Sequence, residues 1–194
     1  MARRAMKIAC RELTPGLWPD LERLFGPRGA SAGCWCMFWR LEKGEKWPDV
    51  QGAPNKRRFR KLVHDGKVHG ALAYAGDEPV GWVSFDRRVD FAKLDRAPSL
   101  ACSDAERVWS VPCFFVKSGW RGKGVADALL AFAMKTMKRH GAEIVEGYPV
   151  KTDGGKKAPA AFVYTGLEPM FAKAGFTSAA RRERGKQRVR LALR

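Results

Sequence analysis

Residues 117–126 read Lys-Ser-Gly-Trp-Arg-Gly-Lys-Gly-Val-Ala, and these residue types could hold an anion. Gly122 and Gly124 carry no Cβ, so successive backbone N–H groups near them can approach phosphate oxygens. After them Val125, Ala128, Leu129, Phe132 and Thr136 recur at three-four spacing up to Gly141. The turn therefore opens a helix, and the positive end of that helix dipole favours the same anion. Lys138, Arg139 and His140 complement its negative end. Arg121 and Lys123 add side-chain charge to the turn. Just upstream, Arg107–Val116 has the pattern of a strand with Pro112 inside it. A proline cannot donate to a ladder, so the strand is expected to bulge or splay near Cys113. The spacing lacks the Gly-x-x-x-x-Gly-Lys-Ser/Thr arrangement of nucleotide hydrolases, and no acid stands where a dinucleotide ribose would need one.

The elements that follow sharpen this reading. Glu143–Gly147 reads as a strand. Phe162–Ala174 reads as a helix, with Thr165 and Glu168 spaced as a capping box and Gly175 as its stop. Arg121-Gly122-Lys123-Gly124-Val125-Ala126 resembles the Arg/Gln-x-x-Gly-x-Gly/Ala signature with which Gcn5-related N-acetyltransferases (GNAT) hold the pyrophosphate of coenzyme A. Met170–Phe176 is similar to the Tyr-x-x-x-Gly-Phe segment near the end of many members. The resemblance spans nearly the whole chain and is strongest from about Val108 to Phe176.

It implies an α/β (α+β) fold over residues 1–194: a single domain with a mixed, mostly antiparallel sheet of six to seven strands, splayed at Arg107–Val116, and about four helices on both faces. It also implies acetyl-coenzyme A as co-substrate, with no metal. The cofactor would contact Phe114, Phe115, Val116, Arg121, Gly122, Lys123, Gly124, Val125 and Ala126. The Phe114 N–H would polarise the thioester carbonyl while an amine attacks it directly. Attack needs a deprotonated amine, and departure needs a protonated thiolate. The family's frequent tyrosine acid falls on Phe171 and its glutamate base on Ser110, so the usual groups are absent. Tyr148 and Tyr164 remain as candidate acids, each with a buried ring and a satisfied hydroxyl as the alternative.

Cys34-Trp35-Cys36-Met37-Phe38-Trp39 is the other unusual cluster. One Cys-x-Cys with only His64, His69 and His140 elsewhere lacks a second ligand pair at zinc spacing. Trp35, Phe38 and Trp39 are read as an apolar wall of the acceptor pocket, with a plug of the core as the alternative.

These sites rest on simple surroundings. The 194 residues with 45% hydrophobic content suit one core. A short strand at Lys7–Cys10 leads to a helix capped at Thr14-Pro15, with Leu17, Leu21, Leu24 and Phe25 inward and Gly26-Pro27 as its end. A second helix is expected from Asn55, as N-cap, to His64. Gly70–Tyr74 and Val80–Phe85 form a hairpin, and Asp86–Glu106 a long loop. No apolar run is long enough for a membrane span, no secretion signal follows the basic start, and five scattered cysteines do not form a disulfide framework. A cytoplasmic protein with reduced thiols is the expectation.

The formal charge of +17 is concentrated in Lys56–Lys61 and in the tail Arg181–Arg194. It could dock a polyanion, but solvated faces are favoured over a nucleic-acid surface. Three functions stay open: acetylation of a small-molecule or peptide amine; acetylation of an RNA-bound or ribosome-associated substrate reached through the basic clusters; and a non-catalytic coenzyme A binding or regulatory module. Oligomeric state also stays open, with a homodimer among the options. A strongly cationic acceptor is disfavoured unless Asp86, Asp90, Asp95 and Glu106 make the cleft acidic.

Overall fold

Side-chain alternation builds the centre of the molecule. The computed structural model describes residues 7–151, 163–180 and 185–193. It holds seven strands: β1 (Ile8–Glu12), β2 (His69–Ala75), β3 (Glu78–Arg87), β4 (Val108–Val116), β5 (Ile144–Gly147), β6 (Thr177–Ala180) and β7 (Arg188–Ala192). They form one sheet in the order β1-β2-β3-β4-β5-β7-β6. All pairs are antiparallel except β4 with β5, whose parallel register runs from Val108 opposite Ile144 to Val111 opposite Gly147.

Along β2 and β3 the two faces go to different cores. Ala71, Ala73, Ala75, Val83 and Phe85 join the cluster containing Val125, Leu129, Leu130 and Ala133 of helix α5 (Val125–Arg139). Leu72, Tyr74 and Trp82 face the other way. They pack with Leu21, Leu24 and Phe25 of α1 (Trp18–Phe25) and with Phe59 and Val63 of α3 (Ala53–His64). The alanines on β2 keep the sheet surface low, and a Cβ on Gly81 would stand 2.6 Å from Val125 Cγ1, so glycine there lets α5 settle onto β3. Two single-turn helices, α2 (Trp47–Val50) and α4 (Ala92–Asp95), and the short α6 (Glu168–Lys173) complete the set. Among the described residues no helix is long and apolar enough to cross a membrane.

The seven-stranded mixed sheet with helices on both faces is the fold expected from the sequence, but several local details differ. Helix α3 starts at Ala53, because Pro54 is preset for a first turn. Asn55 is therefore inside the helix and fully buried, and its Nδ2 donates to Gly33 O at 3.3 Å. Part of the segment read as a loop extends β3 through Arg87, followed by a 3-10 turn at Arg88–Asp90 and by α4. The expected helix over Phe162–Ala174 shrinks to α6. Pro169 is tolerated only in a first turn, so the helix begins at Glu168, and the Thr165–Glu168 capping box does not form. Residues 161 and 162 lie outside the described residues.

Candidate active site

The proline in β4 opens the sheet. Ser84 pairs with Cys113 but Asp86 pairs with Ser110, so β4 carries one extra residue at Val111–Pro112. Its parallel pairing with β5 stops at Val111. Beyond that point the Phe114 N–H donates to Tyr164 O at 2.6 Å, and the Phe114 ring meets the fully buried Phe171 edge-on at 6.2 Å. A Cβ on Gly147 would collide with the Phe171 ring, so the glycine that ends β5 makes room for it.

At the other end of the gap, Gly122 has φ +71° and Gly124, the N-cap of α5, has φ +76°. Both values are left-handed, which explains glycine at each place. Among the described residues no backbone acceptor takes the N–H groups of residues 122–127. This is the donor set expected of an anion cradle at a helix N-terminus. Arg121 is tied by Nε to Val116 O at 3.1 Å.

A cavity of about 810 Å³ joins the two ends. It runs from Trp120, Arg121, Gly122, Gly124, Val125 and Ala126, past Cys113–Val116, to Cys34, Cys36, Phe38, Trp39 and Trp47. Of the residues singled out in the sequence, Lys123 is outside the lining, with Nζ 5.1 Å from the Trp120 ring. Trp35 is also outside it. Its ring stacks on Trp18 at 5.9 Å in the core, so of the three aromatics only Phe38 and Trp39 form the wall. Trp35 and Cys36 have φ +46° and +56°, with Ala30 and Ala32 also left-handed. Such strain in non-glycine residues is typical of functional segments.

The two tyrosines part company. Tyr148 is fully buried and does not line the cavity. Its hydroxyl bonds to Ser110 Oγ and Glu146 Oε1, each at 2.7 Å, and accepts from Arg88 Nη1 at 3.0 Å. Burial and the Glu146 charge push its pKa well up. Tyr164 lines the cavity 6.3 Å from Phe38 and 6.5 Å from Trp39, ring to ring. Burial also raises the pKa of Tyr164, with Cys113 and Cys34 adding to it, so it holds its proton at neutral pH.

The thiols at this end are quiet. Burial pushes Cys34 up to about 12, and Cys113 rises through its contact with Cys36, whose Sγ is 4.0 Å away, and through burial. Asp86, Asp90, Asp95 and Glu106 are all outside the lining. Asp86 is paired with Arg40, Asp95 with Arg88 and Glu106 with Arg87. Asp127 is the one acidic residue among the described lining residues, and it stands at the glycine turn. Trp47, Trp120 and Met170 also line the cavity and escaped the sequence reading. They lie in a 3-10 turn or in helices of four to six residues, too short for a periodicity to mark a face.

These features agree with comparisons to known proteins. The profile of the Acetyltransferase (GNAT) family matches residues 35–158. A comparison with curated proteins finds no match. Among solved structures, a GCN5-related N-acetyltransferase from Kribbella flavida superposes with a TM-score of 0.57 at 16% identity, covering 96% of this chain and 98% of that one. YncA from Salmonella typhimurium, solved with its cofactor acetyl-CoA, gives 0.56 at 13% identity, covering 98% and 95%. Diaminobutyrate acetyltransferase EctA from Paenibacillus lautus, solved with L-2,4-diaminobutyric acid and coenzyme A, gives 0.51 at 14% identity, covering 96% and 95%. At these identities the structures speak for the fold. Because the family profile spans more than half of the sequence and includes the bulged strand and glycine turn, the chain belongs to the acetyltransferase (GNAT) family.

Proposed function

We propose that the protein transfers an acetyl group from acetyl-coenzyme A to a primary amine by direct attack. The observation that carries this is the single cavity connecting the Gly122–Gly124 turn to the aromatic pocket past the splayed strand. Diphosphate on the 122–127 amides would place the pantetheine arm beside Phe114–Val116. The amine nitrogen bonds to the thioester carbon, the oxygen gains charge, and the C–S bond then breaks to give the amide and coenzyme A thiol. The Phe114 N–H serves the oxyanion once it exchanges Tyr164 O for the substrate. Tyr164, protonated and in the cavity, is the group placed to return a proton to the departing thiolate. Among the described residues no histidine lines the cavity, and the amine proton leaves through water.

The acceptor end supports an amine with an apolar or aromatic body. Among the described residues that line this end with Phe38, Trp39 and Trp47, none is acidic and could hold a second ammonium group. Trp39 is 6% exposed, and its Nε1 has no partner among the described residues. A buried N–H without a partner is costly, and an oxygen on the acceptor would satisfy it.

Thiol release from acetyl-coenzyme A, followed across amino acids, peptides, polyamines and arylamines, tests the reaction. Turnover with an aromatic or apolar amine is expected, whereas coenzyme A binding without turnover on any amine would leave a binding module instead. Trp39→Phe is expected to raise the acceptor KM about tenfold, the cost of one hydrogen bond, with coenzyme A affinity unchanged. An unchanged KM would remove Trp39 from the acceptor site.

A further inference from the structure

At the end of α5 opposite the cavity, about 22 Å along the helix from Val125, three side chains converge from distant parts of the chain. Glu12 ends β1, His69 begins β2, and His140 follows the last turn of α5. One ligating atom from each lies within 4.8 Å of the other two. His140 Nε2 is 2.8 Å from Glu12 Oε1, and the rings of His69 and His140 are 4.6 Å apart. Glu12 and His69 are half-buried and His140 is exposed, so the cluster opens to solvent.

A further residue fixes the geometry from behind. Asp86 Oδ1 faces His69 Nδ1 at 2.8 Å, while its Oδ2 accepts from the His69 backbone N–H at 3.1 Å and from Arg40 Nη2 at 2.6 Å. Asp86 is 2% exposed and held on three sides, so it fixes both the tautomer and the orientation of the imidazole. With Nδ1 committed to the carboxylate, Nε2 is the nitrogen left for a ligand. A buried carboxylate behind an imidazole is the arrangement that orients metal-ligating histidines. Trp109 closes one side, its ring 5.2 Å from His69 and stacked on His140 at 5.9 Å.

We propose that Glu12, His69 and His140 form a site for a divalent first-row transition metal of the zinc class, with Asp86 positioning His69. Two imidazoles and a carboxylate suit zinc, nickel or copper; calcium and magnesium prefer all-oxygen shells. Three protein ligands leave a fourth position for water. Arg139 Nη2 donates to Glu12 Oε2 at 3.2 Å, which leaves Oε1 for the metal. The metal would join β1, β2 and the C-terminal end of α5, so its effect is on the stability of the fold. Sequence spacing hides the site because 128 positions separate Glu12 from His140. The inference is independent of the acetyl-transfer reading.

Metal-free, untagged full-length protein titrated with Co²⁺ and Zn²⁺, followed by calorimetry and absorption, tests it. One equivalent is expected, with visible cobalt bands and without the intense near-ultraviolet charge transfer that thiolate ligands would produce. Zinc at about a hundredfold excess over Kd should raise the melting temperature by roughly 5–10 °C. His140→Gln, at the exposed ligand, and Glu12→Gln, at the half-buried one, should each weaken binding at least about tenfold and abolish the thermal shift. His64→Ala, which changes the histidine outside the cluster, should leave both unchanged. Absence of binding, thiolate bands, or affinity that survives both glutamine variants would overturn the proposal.

Discussion

Gly124→Asp is expected to lower coenzyme A affinity by at least about a hundredfold and thiol release in proportion. Gly124 sits at φ +76° and ψ 5° as the N-cap of α5, with nothing within 4 Å of where a Cβ would stand. A side chain therefore fits there sterically. The conformation costs an L-residue on the order of 1–2 kcal/mol, less for Asn and Asp, which visit it most readily. The larger effect is electrostatic, since a carboxylate about 4 Å from a diphosphate meets repulsion of roughly 1 kcal/mol per charge in water and about 4 near a protein surface. Gly124→Asn separates the two contributions, keeping the shape and the tolerance of left-handed backbone without the charge. It should lose only about tenfold in affinity. Gly44→Asp, at another exposed left-handed glycine with open space around it and outside the cavity, controls for strain alone. Its coenzyme A affinity should match that of the wild type. If Gly124→Asp retains wild-type affinity by calorimetry, the diphosphate does not lie on this turn.

That this turn could be found in the sequence follows from how local it is. A left-handed glycine, the onset of an α5 periodicity and a proline in the preceding strand are each written in a few consecutive residues, and each reappears in the structure. The hairpin of β2 and β3 was legible for the same reason, because alternation assigns Leu72 and Trp82 to one face and Ala73 and Val83 to the other. The acceptor pocket was harder. Residues 29–36 follow neither a helical nor a strand period, with Ala30, Ala32, Trp35 and Cys36 all at positive φ. No periodicity there could say that Trp35 faces the core and Trp39 the cavity. Charge misled in another way. Arg188 and Arg190 read as part of a solvated basic tail, yet both turn toward the fully buried Glu146. That pairing is set by the β5–β7 register and is invisible to composition. Arg181, Arg182, Arg184 and Arg194 lie outside the described residues.

This buried network carries the largest expected effect on stability. Glu146 Oε2 accepts from Arg190 Nε at 2.6 Å and lies 3.6 Å from Arg188 Nε, while Oε1 accepts from Tyr148 at 2.7 Å and lies 3.6 Å from Arg88 Nη1. Arg88 is fully buried and divides its other donors among Asp95 Oδ1, Leu100 O, Cys102 Sγ and the Tyr148 hydroxyl. In Glu146→Ala Arg190 keeps its bidentate pair with Asp104, but Arg88 and Arg188 lose their buried counter-charge, and Asp95, about half exposed, compensates only at the outer end of Arg88. Removing one partner from a buried ion pair costs about 3–5 kcal/mol, equivalent to a fall in melting temperature of roughly 6–20 °C. Tyr148→Phe deletes one hydroxyl from the same network and should cost about 1–3 kcal/mol, the Ser110 and Glu146 oxygens each losing a partner. The pair also decides between the tyrosines. If Tyr148 only braces this network, Tyr148→Phe should lower the melting temperature while kcat per folded molecule stays unchanged. Tyr164→Phe should lower kcat about 10²-fold or more with little change in melting temperature, because it removes a proton donor from the cavity and little from the core. The reverse pattern, kcat lost in Tyr148→Phe and kept in Tyr164→Phe, would move the acid to the buried hydroxyl and require an opening of the fold around Arg88 during turnover.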